Sequence, residues 1–401
     1  MIKKIFTSCF IIACSVFIYA YSVVPEQYST PEQYGDVLIF SQTTGSELYA
    51  VDRQTKRDVW VWSSGKRSIR TKPTIVGDIA YIWAGNTTDD SRACAVNCKT
   101  GKSIWETPDA GWTFQSATIC GDIVLFPVEA DYNEVHAFNR KTGKRMWVQD
   151  DCKMILSYGQ TVLVSREKDT QIAMLDVITG KEYFKTGFTD EKYNEPQGFC
   201  STDGVAVVGG EGGIIALNIP SKKVLWKKST VGRKWVSSVH KDVLYLLLGW
   251  TLTGSDKKSP QMLEMWSLAD GKQINQIELN TGSGTYFPPI VFDTVIVVAS
   301  GGSLIGVDSK TSQELWNIDT GGVYQIEKGI DSVYLGLTGP NLWQVEAKTG
   351  KILWSYGKRT EQENPTIPHK NRFLTMLPYI TVAIVVVIIA IIILRMKKRH
   401  I

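Results

Sequence analysis

The chain has 401 residues, 43% of them hydrophobic, with 44 basic against 40 acidic side chains and a formal net charge of +4. Six of the basic residues, Lys3, Lys4, Arg395, Lys397, Lys398 and Arg399, sit in terminal segments without acids, which leaves 38 against 40 over the rest. So nearly neutral a body lacks the basic field that nucleic-acid binding needs, and nothing suggests a role on acidic polymers.

In chain order, Met1 to Lys4 carries two lysines and precedes an apolar run from Ile5 to Ala20 that ends in small residues. This is the layout of a secretory signal peptide over residues 1–22, with cleavage after Ala20 or Ser22. Thr7, Ser8 and Ser15 interrupt the run and make it a poor permanent span. A second reading is that Ile11-Ile12-Ala13-Cys14 resembles a bacterial lipobox, which would make a lipidated Cys14 the new N-terminus. The hydrophobic stretch after Cys14 argues against it.

From 23 to 357 one phrase recurs: a hydrophobic residue, Asp or Asn, two variable residues, Thr-Gly-Lys, two more, then Trp. Its clearest copies are Val96-Asn97 with Thr100-Gly101-Lys102 and Trp105, and Phe138-Asn139 with Thr142-Gly143-Lys144 and Trp147. Others are Leu175-Asp176 with Thr179-Gly180-Lys181 and Phe184, and Val345-Glu346 with Thr349-Gly350-Lys351 and Trp354. Weaker copies end at Trp60, Trp226 and Trp316, and a degenerate one runs through Asp270-Gly271-Lys272. The Thr position falls at Thr55, Thr100, Thr142, Thr179, Ser221, Asp270, Thr311 and Thr349, which marks eight units of 37 to 49 residues. Upstream of each lies a turn such as Gly35-Asp36, Gly77-Asp78, Gly121-Asp122 or Lys241-Asp242, followed by β-branched runs such as Val295 to Val298. Each unit reads as four short strands: one before that turn, one after it, one ending at the Asp or Asn, and one ending at the Trp. Gly-Asp and Thr-Gly supply the positive φ of the two tight hairpins. Four-stranded units at this period predict an all-β chain, an eight-bladed β-propeller, in which each blade buries its faces against its neighbours.

Beyond a juxtamembrane linker at 358–372, Phe373 to Leu394 is an almost unbroken apolar run, long enough for a transmembrane helix. The basic tail at 395–401 marks the cytoplasmic side. The expectation is a single-pass membrane protein with an extracytoplasmic propeller and a cytoplasmic C-terminus.

The recurrent Trp60, Trp105, Trp147, Trp226, Trp316 and Trp354 are expected to be structural, packed between neighbouring blades. The ectodomain cysteines, Cys94, Cys98, Cys120, Cys152 and Cys200, are odd in number. Cys94 and Cys98 lie in one apparent strand, too far apart to pair. With only His136, His240, His369 and His400 besides, their spacing does not make a zinc site, and they are expected to be small buried hydrophobes. The sequon Asn86-Thr87-Thr88 matters only in a eukaryotic host.

The phrase Thr-Gly-Lys-x-x-Trp, as at Thr100 to Trp105, resembles the repeat of the PQQ-repeat, or quinoprotein-type, eight-bladed propellers. The resemblance covers about Gly35 to Gly357. Within that family the chain looks most like the non-catalytic members, typified by the propeller lipoprotein of the outer-membrane β-barrel assembly machinery. It departs from that type in its C-terminal membrane helix. Catalytic members show an adjacent Cys-Cys pair beside the quinone, an aspartate base and a calcium site, and this sequence has no adjacent cysteines. Its aspartates fall mainly at hairpin turns, where they cap the turn. There is no Gly-x-Ser-x-Gly elbow and no His-Glu-x-x-His helix. Gly209-Gly210-Glu211-Gly212-Gly213 lacks the Lys-Ser/Thr of a phosphate loop and reads as a loop between strands.

The reading is therefore a binding or scaffolding propeller for other proteins, with no catalytic residues, cofactor or metal. A sensor ectodomain with a separate membrane partner and a quinone-dependent dehydrogenase stand as alternatives. A first strand that crosses the disc puts the residue seven before its closing turn at the opposite face. That position holds Trp235, Tyr286 and Tyr324 in the last three of these blades, and Thr71, Gln115, Lys153 and Pro196 in earlier ones. The three aromatics form a candidate partner-binding rim, with the connections Thr186 to Gln197 and Gly249 to Gln261 on the same face. The alternative is that these rings plug the channel.

Overall fold

The computed structural model describes residues 27–357, apart from 44, 86–89, 110, 114, 130–132, 167–170, 188–196, 201–203, 211–212, 229–232, 252–260, 280–286, 301 and 340. Blade 1 comprises β1 (Glu32–Tyr34), β2 (Val37–Ser41), β3 (Glu47–Asp52) and β4 (Asp58–Ser63). Blade 2 comprises β5 (Thr74–Val76), β6 (Ile79–Gly85), β7 (Ser91–Asn97) and β8 (Ser103–Asp109). Blade 3 has β9 (Thr118–Cys120), β10 (Ile123–Glu129), β11 (Asn133–Asn139) and β12 (Arg145–Gln149); blade 4 has β13 (Cys152–Tyr158), β14 (Thr161–Arg166), β15 (Gln171–Asp176) and β16 (Glu182–Gly187). Blade 5 has β17 (Gln197–Cys200), β18 (Val205–Gly210), β19 (Gly213–Asn218) and β20 (Lys223–Lys228); blade 6 has β21 (Arg233–His240), β22 (Val243–Thr251), β23 (Gln261–Ser267) and β24 (Gln273–Leu279). Blade 7 has β25 (Ile290–Val291), β26 (Val295–Ser300), β27 (Ser303–Asp308) and β28 (Glu314–Asp319); blade 8 has β29 (Val323–Lys328), β30 (Ser332–Leu337), β31 (Asn341–Glu346) and β32 (Ile352–Gly357).

Each sheet is an antiparallel meander of four consecutive strands. The eight-bladed all-β propeller expected from the repeat is the observed architecture. First strands of successive blades lie side by side, β1 by β5, β5 by β9, β9 by β13, β13 by β17 and β17 by β21, so they form the inner ring. Because no sheet borrows a strand from another blade, the junction between blades 8 and 1 closes through side chains rather than through a shared strand.

The repeat phrase is a turn code. In blade 2 the Asn97 carboxamide oxygen accepts from the backbone N–H groups of Lys99 and Thr100, both at 3.0 Å, and from the Thr100 hydroxyl at 3.1 Å. Gly101 then takes the left-handed conformation at φ 65° and returns its N–H to the Asn97 carbonyl at 2.8 Å. The same cap joins Asp52 to Thr55, Asn139 to Thr142, Asp176 to Thr179 and Asn218 to Ser221. Hydrogen bonds from the threonines hold the Asp52 and Asp176 carboxyls below the ordinary carboxylate range.

The fourth strand does not end at the Trp, as the sequence suggested. Trp105 is the third residue of β8, and Trp60, Trp147, Trp316 and Trp354 stand third in β4, β12, β28 and β32. A bulge explains the difference. In all eight blades the pairing of third and fourth strands slips by one residue, leaving Val59, Ile104, Met146, Tyr183, Leu225, Ile274, Leu315 and Leu353 unpaired and exposed. A bulge raises the local twist and re-aims the following side chain. In six blades that side chain is a Trp, and it turns into the next blade.

Six indoles make the same contact there. Trp60 Nε1 donates to the Cys98 carbonyl at 2.8 Å, Trp105 to Arg140 at 3.0 Å and Trp147 to Val177 at 2.9 Å. Trp226 donates to Leu268 at 2.8 Å, Trp316 to Ala347 at 3.0 Å, and Trp354 closes the ring on Arg53 at 2.9 Å. The accepting residue always follows the last residue of the next blade's third strand. The apolar core lies between blades: Tyr81, Trp83 and Ala95 of blade 2 pack with Val124, Phe126 and Phe138 of blade 3, and comparable clusters fill the other junctions. Burying this surface is the main stabilising term.

Candidate functional site

The ring has two faces. First strands begin on an entry face, where the second-to-third hairpins and blade-to-blade connections also lie; the Thr-Gly-Lys hairpins lie on the opposite, turn face. Of the three proposed rim aromatics, Tyr324 is the second residue of β29 and is 39% exposed. It is the unpaired residue of a bulge, because Val323 pairs with Leu337 and Gln325 with Gly336. Trp235 is different: it is only 6% exposed and packs with Val205, Val207, Ile214 and Leu246. A Cβ at Gly209 of blade 5 would collide with its indole, so Trp235 fills the junction between blades 5 and 6. Tyr286 lies outside the described residues, as do residues 188–196 and 252–260 of the two long connections. Of the earlier-blade positions, Thr71 is buried and its carbonyl accepts from the Ser41 hydroxyl at 2.6 Å. Of the glycine-rich run, Gly209 and Gly210 end β18 and Gly213 begins β19, with Gly210 paired to Gly213; residues 211–212 lie outside the described residues.

The structure also assembles charge clusters that the sequence did not reveal. His136 on β11 sits between two carboxylates: Nδ1 is 3.1 Å from Asp109 Oδ2 and Nε2 is 2.6 Å from Glu134 Oε2. Asp109, itself buried at the end of β8, also receives Arg145 Nη1 at 3.1 Å. The Trp83 ring meets the imidazole edge-on at 5.9 Å. With an acceptor at each ring nitrogen, only the imidazolium satisfies both. Burial alone opposes that charge, but the hydrogen bonds and charges of Asp109 and Glu134 outweigh it and raise the His136 pKa above its ordinary value of 6.5. The two acceptors lie on opposite ring nitrogens, so they cannot share one metal ion with it. Among the described residues no group of three or more His, Cys, Asp or Glu forms a metal site.

A stability prediction follows, and its sign is fixed by the raised pKa. The stabilisation is complete below the unfolded-state pKa and is lost as pH rises through the folded-state one. Stability measured by thermal melts should therefore fall as pH rises above the ordinary histidine range, and His136→Gln should remove that alkaline loss. A His136→Gln protein with an unchanged alkaline slope would contradict the assignment.

At the junction of blades 8 and 1, Lys72 Nζ reaches Glu32 at 2.7 Å and Glu327 at 2.9 Å, linking three first-strand segments across the inner ring. Tyr28, Phe40, Tyr49 and Tyr356 cluster nearby with ring centroids 5.2–6.0 Å apart. Cys94, Cys98, Cys120 and Cys152 are buried free thiols, and burial pushes Cys94, Cys98 and Cys152 up to about 12. Cys98 lies just past the end of β7 rather than within the strand that holds Cys94. No helix among the described residues is long and apolar enough to cross a membrane; the expected span at 373–394 lies outside them.

A family profile described as outer membrane protein assembly factor BamB matches residues 27–150 and 131–356. No curated protein sequence matches the chain. Among solved structures it is similar to BamB from Moraxella catarrhalis, with 14% identity and a TM-score of 0.59 over 82% of this chain and 98% of that one. It is also similar to the quinohemoprotein alcohol dehydrogenase from Comamonas testosteroni, with 12% identity and a TM-score of 0.61 over 86% of this chain and 77% of that one. Sqt1 from Saccharomyces cerevisiae is similar as well, with 10% identity and a TM-score of 0.57 over 80% of this chain and 96% of that one. At such identities these likenesses establish the fold alone.

Proposed function

Because the chain belongs to the PQQ-repeat family whose profile is described as outer membrane protein assembly factor BamB, we propose that it is a protein-binding scaffold without catalytic activity. In this reading a C-terminal helix at 373–394 anchors the propeller in a membrane, and the propeller works outside the cytoplasm. The observation that carries the reading is the span of the family match, which runs across the blades from residue 27 to residue 356. The absence of an adjacent Cys-Cys pair in the sequence supports the non-catalytic side of it. The topology rests on the basic flank after Leu394 and the charged start before Ile5.

The structural likeness to a quinohemoprotein dehydrogenase makes the competing reading concrete. Full-length protein should be incubated with pyrroloquinoline quinone and calcium, desalted, and assayed for quinone absorbance and for alcohol-dependent dye reduction. The scaffold reading expects neither. Stoichiometric retention of quinone together with dye reduction would overturn it.

A further inference from the structure

Six of the eight junctions between blades carry the indole bond, and two do not. We propose that the junctions between blades 4 and 5 and between blades 6 and 7 are where this ring yields, so that blades 5 and 6 move as one unit against the other six. At these junctions Phe184 and Asn275 occupy the Trp position of the fourth strand. The receiving hairpin changes with them. Its left-handed position is held by Lys222 (φ 56°) and Ser312 (φ 62°), where the hairpins facing Trp60, Trp105, Trp147, Trp226 and Trp316 have Gly101, Gly143, Gly180, Gly271 and Gly350.

The correlation has a steric cause. A Cβ on any of those five glycines would stand 2.6–2.7 Å from Cδ2 of the indole lying on it. Where no indole lies on the hairpin, a side chain is allowed. The closing junction has both Trp354 and a side chain at the receiving position, Lys56; there the indole lies parallel to Tyr356 at 6.0 Å.

What replaces the indole bond is weaker: Phe184 still packs against the apolar cluster between blades 4 and 5, but its ring has no N–H to donate to the receiving hairpin. Asn275 Nδ2 donates to Ser312 Oγ at 2.9 Å, and Lys222 Nζ stands 4.8 Å over the Tyr183 ring. Lys241 and Asp293, both exposed, pair at 2.8 Å between blades 6 and 7. The exposed Lys241–Asp293 ion pair adds little and is screened by salt, and a neutral hydrogen bond such as Asn275–Ser312 adds only modestly to stability. Apolar packing continues across both junctions, with Leu163 and Met174 against Ala206 and Val208, and Leu247 and Leu263 against Ile296 and Val298. These junctions are therefore hinges rather than gaps. Between them, blades 5 and 6 are tied by the Trp226 bond to Leu268 and by Trp235.

Hydrogen exchange of the full-length protein tests this. The receiving hairpins at 218–223 and 308–314 should exchange about tenfold faster than their counterparts at 97–102, 139–144 and 346–351. The paired replacements Phe184→Trp with Lys222→Gly, and Asn275→Trp with Ser312→Gly, should slow them to the level of the other blades. Equal exchange across all hairpins of the wild-type protein would overturn the proposal, a comparison that needs no variant to fold. So would folded paired variants with unaltered exchange.

Discussion

Replacing Trp105 by alanine is expected to cost about 3–5 kcal/mol, the range for truncating a large aromatic in a packed interior. The effect has two parts. The void left between blades 2 and 3 exposes Tyr81, 6.1 Å from the indole, and the Arg140 carbonyl loses its shorter hydrogen bond, keeping only the Tyr81 hydroxyl at 3.4 Å. Trp60, Trp147, Trp226, Trp316 and Trp354 make the same contact at their own junctions, so each alanine variant should melt earlier by a similar amount. Denaturant melts of the six variants check this, and neutrality in all but one would refute equivalent packing.

The partner of that indole gives the second large effect. Gly143→Ala places a methyl group 2.6 Å from Cδ2 and Cε3 of Trp105 and 2.9 Å from Thr107 Oγ1, on a residue held at φ 70°. Overpacking and left-handed strain together should cost about 2–4 kcal/mol. Gly121→Ala separates the two causes, because Gly121 has a similar φ of 59° and an added methyl group there would meet nothing within 4 Å. Its cost should be about 1 kcal/mol, strain alone. Equal melting temperatures for the two variants would show that the indole does not require the glycine.

The blade architecture was legible because the turn chemistry leaves a local trace. An Asp or Asn that caps a Thr three residues on, followed by a residue in the left-handed region, needs those residue types at that spacing wherever it occurs. Asn97 to Lys102 and Asn139 to Lys144 carry the whole code. The bulge was not legible from strand patterns, although the apolar residue that precedes each Trp position is its mark. Missing it placed the strand end at the Trp.

The rim was read less well, for a geometric reason. Counting back from a turn fixes how far along the first strand a residue lies, but not which side it faces. In β21 the pairing slips between Arg233 and Trp235, which breaks the simple alternation, and Trp235 packs on blade 5. In β29 the slip instead leaves Tyr324 unpaired and exposed. The His136 cluster was invisible for another reason: Glu134 and His136 share a strand face by alternation, but Asp109 comes from a different blade, and no local spacing announces a contact 27 residues away.

The expectation of a partner-binding rim on the entry face is tested most directly by photo-crosslinking in the native host cells, with a benzophenone amino acid placed at either of two blade 8 positions. One is Tyr324 near the entry face; the other is Ile330, 87% exposed in the turn that closes β29 on the opposite face. Irradiation should give a discrete protein adduct from position 324 and none from position 330. Adducts from position 330 alone, or from neither position in a folded protein, would contradict the account.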